Sequence, residues 1–71
     1  MDSVNHPAHY TGFSNGAEVI DLTENLSFNL GNVVKYVARA GRKTSDPFED
    51  LSKARFYLER EIERLRGILD V

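Results

Sequence analysis

The sequence predicts an all-α fold: an irregular N-terminal arm followed by three helices, the third long and mediating oligomerisation. Two stretches carry that expectation. After Pro47, the residues Leu51, Ala54, Leu58, Ile62, Leu65 and Leu69 recur within one narrow stripe, as a core or coiled-coil seam requires. Between Phe28 and Lys43, at about 100° per residue, Leu30, Val33, Val34 and Val37 fall on one side of a helix. Asn32, Lys35, Tyr36, Arg39 and Lys43 fall on the other side.

Residues 1 to 15 read as the arm, with Pro7, Gly12, Ser14 and Asn15 as turn formers and His9, Tyr10 and Phe13 as ring anchors that hold shape only by packing elsewhere. A first helix is expected from Asn15 as its cap, with Glu18 three residues on, to about Asn25, turning Val19, Ile20 and Leu22 partly inward. Ser27 is placed to cap the second helix, and Gly41 suits the left-handed conformation that ends one. Asp46, Pro47 and Glu49 form a cap, a first helical position and a capping box for the third helix. That helix should run for about 22 residues, ~33 Å at 1.5 Å per residue. The two earlier helices are too short to cover it, so its C-terminal half needs another apolar surface, most simply the same helix of a second copy.

Seventy-one residues make a single small domain, residues 1–71, too short to bury more than about 60% of its unfolded surface. With no cysteine, neither a disulfide nor a thiolate metal site can staple it, which leaves self-association. The opening MDSVNHPAHY has no basic start or apolar run, so no secretory signal is expected, and no run approaches the ~20 apolar residues of a membrane span. A cytoplasmic protein is the expectation. Nine basic against eleven acidic residues, a net charge of −2, argue against general nucleic-acid binding. Local positive charge nevertheless gathers at Lys35, Arg39, Arg42 and Lys43.

The polar arc of the second helix combines an amide, an ammonium, a phenol and a guanidinium and contains no acid, whereas a solvated face would more often mix Glu with Lys. It reads as the floor of an anion-recognising pocket. Asp50, Lys53 and Tyr57 form a second polar row about 100° round the third helix from the leucine stripe, either an ordinary ion pair beside a core tyrosine or a second wall on which Asp50 orients Lys35 or Arg39. His6 and His9, three apart, are short of the three or four ligands of a zinc site; packing against the core and contact with a ligand both remain open for them and for Tyr10. Glu18 and Asp21 have the spacing of magnesium ligands or a general base, and equally of a helix cap. Glu59, Arg60, Glu61, Glu63, Arg64 and Arg66 read as a solvated face. Phosphate-loop, dinucleotide-binding, nucleophile-elbow and H-E-x-x-H zinc motifs are all missing, so no catalytic residue, metal or cofactor is assigned.

His6-Pro-x-His9-Tyr10, Gly16-x-Glu18, Gly31-Asn32-x-x-Lys35-Tyr36-x-x-Arg39-Ala40-x-x-Lys43 and Glu49-Asp50-Leu51-x-Lys53-Ala54-x-x-Tyr57-Leu58 together resemble a family of small bacteriophage proteins of unassigned biochemical function, over nearly the whole chain. Members are often labelled nucleotide kinase. A phosphotransferase must hold ATP, magnesium and acceptor together, for which this chain has no phosphate loop, so the resemblance implies a ligand class rather than a reaction. Lys35, Arg39 and Lys43 would take phosphates with Lys53 in support, and His9, Tyr10, Tyr36 or Tyr57 would stack on or bond the base, with His6 also among the ligand-binding residues. Glu18, Asn32 and Asp50 would bond ribose or orient the cations. The expectation is an oligomer in the cytoplasm of an infected bacterium that sequesters a phosphorylated nucleotide, such as a cyclic dinucleotide or ADP-ribose derivative of host defence, by analogy with phage sponges. The alternatives are a nucleotide-processing enzyme, such as a nucleoside monophosphate kinase component, and a helical adaptor for a host protein.

Overall fold

The computed structural model describes residues 8–13, 15–43 and 45–69, and of Ala8 and Leu69 the backbone alone. A short 3₁₀ turn, Ala8–Tyr10, precedes three helices: α1 Val19–Thr23, α2 Phe28–Arg39 and α3 Pro47–Leu69. No strand occurs among the described residues, so the fold is all-α.

Local chemistry sets the limits of α2 and α3. The Ser27 hydroxyl accepts from the Leu30 N–H at 3.3 Å, as an N-cap should. α2 stops at Arg39, and Gly41 follows with φ +76°, a region that costs other residues strain. Asp46 Oδ1 accepts from the Phe48 N–H at 3.0 Å just ahead of Pro47, which opens α3. The expected first helix is shorter than its sequence suggests. Asn15 Oδ1 accepts from the Ala17 N–H at 3.0 Å in a local turn, and Glu18 caps α1 instead, its N–H bonded to Asp21 Oδ2 at 2.7 Å. Both acids of that pair are used in starting the helix.

α2 lies between α1 and α3 and is the hub of the packing. Gly31 faces α1, where a Cβ would make an ordinary contact 3.5 Å from the Thr23 carbonyl oxygen. Its N–H donates to the Ser27 carbonyl at 2.7 Å, so it does not point an unused donor at an anion.

The apolar interior is small. Val19 and Ala54 are the buried hydrophobic residues among those described, and Val37, Leu51, Leu58, Ile62 and Leu65 are all at least 40% exposed. The row of α3 that faces α2 is Asp50, Ala54, Tyr57 and Glu61, at i, i+4, i+7 and i+11, while the leucine stripe lies about a quarter-turn away. Among the stripe residues whose side chains are described, Ala54 alone is buried. The radius of gyration is 13.9 Å, against about 11 Å for a compact chain of this length. The 23 residues of α3 account for the extension, because the 12 of α2 cover about half of it.

Candidate functional site

The row Asp50, Tyr57, Glu61 meets α2 at two places of opposite character. At the far end, Glu61 is buried and its carboxylate is saturated. Arg64 Nε and Nη2 donate to it at 2.9 and 2.8 Å, Asn29 Nδ2 at 3.2 Å and the Ser27 hydroxyl at 3.5 Å. Those bonds, with the Arg64 pair first, hold its carboxyl down to about 2. This is a clamp that fixes the start of α2 on α3. The sequence reading placed Glu61 on a solvated face; its burial follows from where α2 begins in space, which helical spacing does not reveal.

At the near end, Asp50 is buried and Arg39 Nε approaches its Oδ1 to 3.0 Å. The Nε–H is not aimed along that contact and makes no hydrogen bond among the described residues, although it is buried. Arg39 Nη1 donates to the Tyr10 hydroxyl at 3.4 Å, which ties the arm to α2. That bond first, with the nearby Tyr10, Asp50 and Tyr36, raises the pKa of the half-buried guanidinium against the opposing effect of desolvation.

Around this pair the aromatic and cationic residues gather. The Tyr36 ring has Lys35 Nζ at 4.6 Å from its centroid, Arg39 Cζ at 5.4 Å and Lys53 Nζ at 5.4 Å. Tyr57 stacks beside it, 8° from parallel with centroids 5.9 Å apart. Phe56 and Phe28 then set their edges against Tyr57 at 5.2 and 6.0 Å. Tyr36, Glu49, Ser52, Lys53, Phe56 and Tyr57 line an open depression of about 520 Å³. The Lys53 ammonium pairs with Glu49 at 3.3 Å across one turn of α3.

Of the residues singled out in the sequence, Tyr10, Lys35, Tyr36, Arg39, Asp50, Lys53 and Tyr57 therefore meet. His9 packs on Tyr10 at 4.1 Å between ring centroids; burial first, then Lys43, Arg39 and Arg42, lower its pKa against the opposing pull of Asp50. Lys43 is exposed just beyond α2, on the His9 side. Two residues are not brought in. Asn32 turns its amide back to the Phe28 carbonyl of its own helix at 2.9 Å and lines, with Phe28 and Lys35, a groove beside the depression, and Glu18 is occupied at α1. His6 lies outside the described residues.

Phe28 and Phe56 were missed by the sequence reading. The phase of Phe28, between those of Lys35 and Arg39 on α2, was a signal that would have found it. The exposed rings of Phe56, 57% accessible, in the depression and of Phe28, 76%, in the groove beside it leave apolar surface on either side of Tyr57.

The model of one family, described as protein of unknown function (DUF3310), matches residues 4–59. The chain is also similar to the Gene 1.7 protein of Enterobacteria phage T3, 36% identical over 73 residues, which span 92% of this chain and 44% of that relative. It thus covers less than half the length of the curated relative it matches. No solved structure matches. The family match takes in the arm from residue 4, both walls of the tyrosine–cation cluster and the first half of α3, and with the phage relative it makes this chain a bacteriophage protein that belongs to the DUF3310 family.

Proposed function

We propose that the protein binds and sequesters a phosphorylated nucleotide in the cytoplasm of the infected host, with a cyclic dinucleotide or an ADP-ribose derivative of host defence as the ligand class. The observation that carries this reading is the Tyr36 ring, with three cations within 5.4 Å of its centroid and a near-parallel Tyr57 beside it. A nucleotide offers both complements: a flat base for the tyrosine and phenylalanine rings, and phosphate for Lys35, Arg39 and Lys53. The ion pair with Asp50 holds the half-buried Arg39 guanidinium in place beside the rings.

Holding fits these residues better than processing. The carboxylates near the rings are engaged with cations, Asp50 with Arg39 and Glu49 with Lys53, and the Glu18–Asp21 pair is engaged in capping α1. A base that must take a proton in a reaction is better placed against its substrate than against a resident cation. The 44% coverage of the phage T3 protein favours a second reading, in which the chain corresponds to one part of a larger nucleotide-processing protein such as a kinase component.

Titration calorimetry against a panel of cyclic dinucleotides, ADP-ribose derivatives and nucleoside phosphates tests the first reading. The expected result is heat with at least one of them and a loss of about a hundredfold in affinity for Arg39→Ala, the size of two charge-assisted hydrogen bonds. No heat with any phosphorylated nucleoside rejects it. Chromatography of the nucleotide after incubation separates the readings, because a sequestering protein returns its ligand unchanged.

A further inference from the structure

α3 carries a second surface that the nucleotide reading does not use. Leu51, Leu58, Ile62 and Leu65 lie between 40% and 44% exposed, a row about 90° round from the seam with α2. The start of α2 reaches only to Glu61, through Ser27 and Asn29, so α3 runs on past its neighbour with Ile62, Leu65 and Ile68 in solvent. An aliphatic row on a helix that outruns the rest of its own domain needs an apolar cover.

We propose that this cover is a second copy of the chain, laid antiparallel, with Leu58, Ile62 and Leu65 of the two copies interleaved about a two-fold axis between Ile62 and Leu65. The charges beside the row select the direction. Glu59 and Arg66 stand on the same edge of the stripe, seven residues and about two turns apart. In an antiparallel pair in which Ile62 faces Leu65 of the second copy, Glu59 lies beside Arg66 of the second copy, and the symmetry makes that contact twice. A parallel pair instead sets Arg55 against Arg55 at a seam position, where like charges repel. The antiparallel register leaves Arg55 at the outer end of the overlap, in water and beside its own Glu59, 3.8 Å away.

The pairing also fixes how the ligand sites sit. Lys53 and Phe56 lie about 150° round α3 from the leucine row, so the two copies join back to back with both tyrosine–cation depressions facing outward. Each chain then keeps its own site. The inference rests on α3 alone and stands whether or not a nucleotide binds.

Sedimentation equilibrium of the full chain at about 100 µM, where even a micromolar dimer is formed, should return twice the 8.0 kDa chain mass. Ile62→Glu should return a monomer, with circular dichroism to verify that it stays helical. Glu59→Arg and Arg66→Glu, both at exposed positions, should each weaken the dimer about tenfold, and the double exchange should restore it. A wild-type monomer at that concentration overturns the proposal. So does a dimer that Ile62→Glu leaves intact, or one in which the two charge reversals add without rescue.

Discussion

Asp50 and Glu61 occupy the same row of α3 and both are buried against α2, yet they do opposite things. Glu61 is met by four donors, two from its own helix and two from the start of α2, so every direction around the carboxylate is filled. Asp50 faces a guanidinium whose Nε–H is not consumed by the contact and whose other groups reach a phenol and an aromatic ring. A saturated carboxylate fastens two helices. An acid that meets one cation without being saturated leaves room for a different role, and under the proposed function this contrast would separate scaffold from site within one seam.

The largest effect is expected at the site end. Asp50→Asn should cost about 2 kcal/mol of folding stability by leaving the half-buried guanidinium without its counter-charge, and should weaken nucleotide binding in the fraction that stays folded. Denaturant titration and calorimetry measure the two parts. If binding is unchanged, Asp50 is as purely structural as Glu61 and the contrast fails.

Next comes the clamp. Glu61→Ala should lower Tm by about 10 °C through the unpaired Arg64 and Asn29, while affinity for nucleotide below the transition stays within twofold of wild type. A large loss of affinity would mean that the clamp also shapes the site. The smallest effect, and the sharpest in sign, is pH. Because the Glu61 carboxyl is held down to about 2 from 4.5, its contribution is fully present above the unfolded value and is lost as pH falls from 4.5 through 2. Thermal melts between pH 5 and pH 2 should show a steeper fall for wild type than for Glu61→Gln.

The caps at Ser27 and Asp46 and the stop at Gly41 were legible because each is decided within four residues. The shorter α1 was not, since Asn15 is the better cap by residue type and only its turn to Ala17 takes it out of that role. On α2 the common phase of Lys35, Tyr36 and Arg39 was enough to place them together. Asn32 shares that phase and still leaves, because a short amide one turn from a carbonyl bonds to its own helix. Glu61 was illegible for the opposite reason: an acid three residues before an arginine reads identically whether it is wet or buried.

Lys35, Arg39 and Lys53 crowd one ring, and the carboxylates paired with them are Asp50 and Glu49, so the neighbourhood holds one positive charge more than it neutralises. Dissolved ions therefore pull two ways. Raising the ionic strength eases the mutual repulsion of these cations and steadies the protein, and under the proposed function the same screening would blunt the grip on a phosphate.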